Sequence, residues 1–144
     1  WIVNPSADKV LMVYHNIYQS WSWTGGHADG EEDLLSVAQR EAREETGLTL
    51  SAWEYRGIVT FVSDRYETEY MHLFTATGWT GTPHPCDEGE LEWLPKAELR
   101  KLPMWAGDRI FLRLLDSDEP FFSLKLVYAG DTLTEAVLNG ERIR

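Results

Sequence analysis

REAREETG, residues 40–47, crowds Glu41, Glu44 and Glu45 into about one helical turn. On either side of it, Asp33 is a good N-cap and Gly47 a good C-cap, so the spacing predicts a helix through LLSVAQREAREET. Stepping about 100° per residue puts Leu34, Leu35, Val37, Ala38 and Ala42 on one stripe, the face expected to pack on a sheet. Ser36, Gln39 and Arg43 fall opposite. Glu41 and Glu45 land inside the apolar stripe, with Glu44 at its edge. An ionised carboxylate there costs several kcal/mol unless it is paired or bound to a metal. Arg40 can pair with Glu44 at i,i+4, yet one guanidinium does not neutralise three carboxylates. Two readings follow from charge geometry: a helix end with its glutamates in water, or a site for hard cations such as Mg²⁺ and Mn²⁺.

The flanking residues separate them. Gly26, Glu32, Arg40-Glu41-Ala42, Glu44-Glu45 and Gly47-Leu48 stand at the spacing GX5EX7REUXEEXGU. This resembles the Nudix box; every fixed position matches, and Ala42, where a bulky aliphatic is usual, is the soft departure. The resemblance implies an α/β/α sandwich with a central mixed sheet that uses Mg²⁺ or Mn²⁺ to hydrolyse nucleoside diphosphates linked to another moiety. It implies that Gly26, Glu41, Glu44 and Glu45 hold the metals and that Arg40 orients this set. Glu32 then ties the loop to the helix. It further implies that Glu44, slightly ahead of Glu41, takes the proton from the attacking water.

Composition bounds the rest. A chain of 144 residues with 43% hydrophobic and 26% charged residues is expected to be one domain, residues 1–144, with a real core. The net charge of −11 argues against duplex nucleic acid as a partner. An acidic protein can still bind a phosphorylated small molecule through divalent cations. No apolar run reaches the roughly 18 to 20 residues of a membrane span, and no basic-plus-apolar leader precedes the first strand. Cys86 is the only cysteine, so no internal disulfide forms, and a reducing cytoplasm is the expected location. Monomer and homodimer both remain open.

Strands are expected near residues 1–3, over Val10–His15, over 55–64 and 66–79 with a turn near Arg65, and over 91–94. A small helix follows Pro95, another covers 106–116, and 121–138 form a hairpin. Past the box, YRGIVTFVSDRYETEYMHLFTA, CDEGELEWLPK, WAGDRIFLRLL and PFFSLKLVYAGD look like the MutT-like 8-oxo-dGTP diphosphatases. That likeness implies that Trp105 stacks on a purine, that Asp108 reads its edge, and that Glu88 supplies a further metal-facing carboxylate. Some relatives carry a second acid at the position of Gly107. From the residues alone, Trp105 could equally be a core aromatic and Asp108 a helix N-terminal charge. The front, LMVYHNIYQSWSWTGGHADG, looks like a different Nudix group, with His27 where a basic residue is usual. There Ser22 is the polar residue available to a base, Trp23 could close the pocket, and His27 could touch phosphate. His15, His72 and His84 lack metal-ligand spacing.

The expected activity is therefore hydrolysis of a nucleoside triphosphate, 8-oxo-dGTP first, to monophosphate and pyrophosphate, without an organic cofactor. The alternatives are ADP-ribose or a dinucleotide as substrate, or a nucleotide-sensing Nudix module without turnover.

Overall fold

β1 (Lys9–His15) carries four consecutive buried residues, Val10 to Val13, because both of its faces are covered. Alternation along the strand sends Leu11 to one cluster and Val10 and Met12 to another. The Leu11 cluster includes Ala42, Leu48 and Leu50, with Trp79 stacked on Trp93 at its side. The other joins Val3 and Leu99, flanked by Trp21 and Trp23.

A computed structural model describes every residue except Pro5, Ala7, Ile17, Tyr18, Asp87 and Glu88. The remaining elements are β2 (Ser20–Trp23), α1 (Leu34–Thr46), β3 (Thr49–Ser63), β4 (Glu69–Thr80), β5 (Gly89–Pro95), α2 (Lys96–Leu99), α3 (Ala106–Leu115), β6 (Phe122–Ala129), β7 (Thr132–Leu138) and β8 (Glu141–Arg142). β2, β1 and β5 form an antiparallel sheet in that order. The second sheet runs β4-β3-β6-β7-β8 and is mixed, with β6 parallel to β3 and antiparallel to β7. The class is α/β with a mixed sheet, as expected. Among the described residues no helix is long and apolar enough to cross a membrane.

Two compact units divide the chain: Trp1–Glu54 with Thr75–Leu102, and Tyr55–Phe74 with Pro103–Arg144. In the first, α1 begins and ends where its caps predict. The Asp33 carboxylate accepts from Ser36 N at 2.9 Å, and Gly47 adopts φ +78°, its N–H donating to Arg43 O. The packing face is corrected, however. Leu34 and Leu35 are 41% and 39% exposed, and the buried residues of the helix are Ala42 and Thr46. A helical wheel records periodicity but not where partners lie, and the apolar cluster holding Ala42 takes in none of the first turn. Thr46 is tolerated inside because its hydroxyl donates to Ala42 O and accepts from Leu48 N.

In the second unit, α3 packs on β7, and buried Arg56 closes its C-terminal end. The guanidinium donates to the carbonyls of Leu115, Leu114 and Ser117 at 3.0, 3.1 and 2.9 Å. A cation is favourable at a helix C-terminus, and these bonds satisfy carbonyls that lack a helical partner.

Candidate active site

Arg40 is the hub of the loop-helix segment in the first unit. Its Nε and Nη2 grip Glu32 at 2.8 and 3.0 Å, while Nη1 reaches Glu41 and Glu44, each at 3.1 Å. Nη2 also donates to the His27 carbonyl. Glu32 accepts in turn from Asp29 N, so the loop is tied to the helix from both directions. Hydrogen bonds from Arg40 hold the Glu32 carboxyl below the usual range, and Glu32 raises the guanidinium further. A single guanidinium thus engages four carboxylates, those of Glu32, Glu41 and Glu44 and, at 3.6 Å, Asp29, more than the i,i+4 pair with Glu44. It still stands as one positive charge among Glu32, Glu41, Glu44 and Glu45.

Glu41 and Glu45, one turn apart, converge on the same piece of backbone. Glu45 Oε2 accepts from Gly25 N at 3.3 Å. A methyl group on Gly26 would lie 2.3 Å from the Glu41 carboxylate carbon, so only glycine leaves that approach open. The Glu41 side chain is 16% exposed and Glu44 59%. Among the described residues no three Asp, Glu, His or Cys side chains already form a metal-holding group. The donors are nonetheless all oxygens beside a cradle that a Cβ would fill, and that set suits Mg²⁺ or Mn²⁺. Glu88 lies outside the described residues.

Elsewhere in this unit, Ser22 Oγ is 2.7 Å from His15 Nε2, and Trp23 packs on the Val10 cluster. His27 is exposed and contributes its carbonyl to Arg40. His84, given no role from sequence, donates its N–H to Thr46 O, and its ring fills the space a Cβ on Gly47 would need. Gly47 therefore answers two demands, a left-handed turn and a covering ring.

The second unit holds a cavity of about 400 Å³. Trp105 and Asp108, from the start of α3, line it together. Trp105 is held edge-on by Tyr128, with centroids at 4.8 Å, and by Phe61 at 6.2 Å. The Asp108 carboxylate accepts from Trp105 N, and its burial pushes the carboxyl pKa upward. Gly107 donates its N–H to Tyr128 Oη at 2.8 Å, and a Cβ there would collide with Tyr128 and Leu126. A second acid at this position would displace Tyr128. Sequence reading missed Phe61, Tyr66, Glu69, Met71, Leu126 and Tyr128 as lining residues. The signal available was alternation, which puts Glu69 and Met71 on one face of β4.

The raised carboxyl has a measurable consequence. A carboxyl whose folded pKa exceeds its unfolded value contributes its stability below about pH 4 and loses it as pH climbs through the folded value. Asp108→Asn, which can still accept from Trp105 N, should therefore raise Tm at pH 7, and the gain should vanish below about pH 4. Thermal denaturation across that range checks this; a lower Tm at pH 7 would show that burial does not govern Asp108.

Residues 1–115 match the family profile described as NUDIX domain. An uncharacterized Nudix hydrolase of Bacillus subtilis, YvcI, is 32% identical over 111 residues, covering 74% of this chain and 70% of the relative. A Danio rerio protein named oxidized purine nucleoside triphosphate hydrolase is 29% identical over 121 residues, 83% of this chain and 77% of its own. A crystal structure of a MutT protein from Bacillus halodurans superposes with a TM-score of 0.84 at 28% identity, over 97% of this chain and 94% of that one.

Proposed function

This chain belongs to the Nudix family of hydrolases, and from that premise we propose that it converts a purine nucleoside triphosphate, 8-oxo-dGTP first, to the monophosphate and pyrophosphate. Residues 1–144 act as one catalytic domain in this reading, in the cytoplasm, as a monomer or homodimer that cleanses the nucleotide pool ahead of DNA synthesis. The observation that carries it is the convergence of Glu41 and Glu45 on the Gly25–Gly26 backbone.

Gly26, Glu41, Glu44 and Glu45 would hold Mg²⁺ or Mn²⁺, with Glu88 as a further candidate. Such ions supply polarisation of phosphoryl oxygens and a water of lowered pKa. Glu44 accepts the proton as the water oxygen bonds to phosphorus and the bridging P–O bond to pyrophosphate breaks. Arg40 orients Glu41 and Glu44 and keeps their mutual repulsion from splaying the helix end.

Base recognition is assigned to the cavity of the second unit. Its two carboxylates, Asp108 and Glu69, repel phosphate, so it suits the uncharged end of the substrate. Trp105 offers a ring face, and Asp108 an acceptor for N–H groups on a purine edge. The Danio rerio relative's name supports the oxidised base as the first choice.

Assaying 8-oxo-dGTP, dGTP, dATP, ADP-ribose and a dinucleotide with Mg²⁺, and reading pyrophosphate against phosphate, tests the proposal. Preference for ADP-ribose over every triphosphate would overturn the substrate, and binding without turnover would make the protein a sensor. Trp105→Ala should raise KM for purine substrates about tenfold, within the range of one lost base stack, while leaving the Mg²⁺ requirement unchanged. An unaltered KM would remove Trp105 from base binding.

A further inference from the structure

The turn between β3 and β4 is tied to the turn between β6 and β7 by three contacts. Asp64 Oδ1 accepts from Gly130 N at 2.9 Å, Arg65 Nη2 pairs with Asp131 at 2.8 Å, and the same guanidinium lies where a Cβ on Gly130 would fall. Gly130 is at φ +58°, so glycine serves there both the turn and the approach of Arg65. Arg65 N also donates to Ser63 Oγ. The two residues before Tyr66 are thereby tethered to the facing turn.

Tyr66 keeps most of its surface in water. It is 59% exposed, yet it lines the cavity that holds Trp105 and Asp108. Trp105 is braced by Tyr128 and Phe61, whereas among the described residues the Tyr66 ring contacts no other ring. A large aromatic left wet beside a tethered turn, at the rim of a cavity with a braced aromatic and a half-buried acceptor, is preorganised for a planar ligand.

We propose that Tyr66 is a substrate-binding residue, closing on the base of a purine nucleotide whose edge Asp108 reads, with the Arg65–Asp131 and Asp64–Gly130 contacts as its positioning device. This rests on the cavity being the base site. The phenol ring rather than its hydroxyl makes the contact. The inference adds selectivity for an extended aromatic base over a bare sugar phosphate, which offers no π-face.

Isothermal titration of dGMP and 8-oxo-dGMP in EDTA reads base binding apart from turnover. Tyr66→Ala should weaken binding about fivefold to tenfold, Tyr66→Phe should leave it unchanged, and Arg65→Ala should weaken it about twofold to threefold. Deoxyribose 5-phosphate should bind the parent and Tyr66→Ala equally. Because Tyr66 is exposed, the variants should keep the parent Tm, which identifies any that misfold. If Trp105→Ala weakens binding and Tyr66→Ala does not, this inference falls while the base site stands. If neither matters, the base site falls and takes this inference with it. Equal weakening of the sugar phosphate by Tyr66→Ala would move the ring to the sugar and also overturn it.

Discussion

Glu44→Gln is expected to lower kcat by about 10²- to 10⁴-fold at saturating Mg²⁺, the range lost when a general base is removed. The substitution leaves the helix and the Arg40 contact in place. Glutamine keeps helix propensity and shape, and its amide oxygen can still accept from Arg40 Nη1, which now bonds Glu44 Oε2 at 3.1 Å. Glu44 is also the more exposed of the two glutamates on that nitrogen, so its desolvation cost is small and Tm should move little. A water can reach it, whereas Glu41 is enclosed beside Gly26. Working at saturating metal separates proton transfer from weakened ion binding. Unchanged activity would transfer the role to Glu41, and Glu41→Gln would then be the variant to show the loss.

Where the sequence proved legible, the chemistry was local. Asp33 and Gly47 mark the ends of α1 because capping is decided within four residues, and both caps are present. The inward placement of Glu41 and Glu45 also followed from helical geometry, as Gly25 and Gly26 show. Leu34 and Leu35 went the other way, since periodicity knows nothing of which turn reaches the core. Arg40 binding Glu32 depends on how loop 27–32 folds back, and spacing alone does not contain that path. β8 is two charged residues paired with β7, with no side-chain pattern to announce it. β3 likewise begins at Thr49, earlier than the run of β-branched residues suggested.

The cavity shows the same division. Trp105 and Asp108 lie in one short segment, and a resemblance in that segment found them. Phe61 stands opposite Leu126, and Ser63 opposite Tyr128, only through the parallel pairing of β3 with β6. That register joins segments far apart in the chain, and no local rule specifies it. Tyr66 was invisible for a related reason: its place depends on Arg65 meeting Asp131 across two turns.

Gly26→Ala should raise the Mg²⁺ concentration for half-maximal activity by about tenfold to hundredfold, the loss typical when a metal ligand is misaligned by its surroundings. The added methyl would lie 2.3 Å from the Glu41 carboxylate carbon, inside any tolerable contact. What it meets is the end of a flexible side chain, so Glu41 can rotate away and the fold should survive with Tm within about 2 °C. Gly25→Ala is the matched control, because a Cβ there meets nothing within 4 Å and its N–H can still donate to Glu45. Equilibrium Mn²⁺ binding gives a readout free of turnover, and it should weaken for the Gly26 variant and not for the Gly25 variant. If neither loses metal, Glu41 is not a ligand and the cradle serves only to bury it. If both lose Tm together, the glycines serve the loop's folding rather than the cation. Loss confined to Gly26 would tie the carboxylate pair of REAREETG to the metal through a single hydrogen atom on the facing backbone.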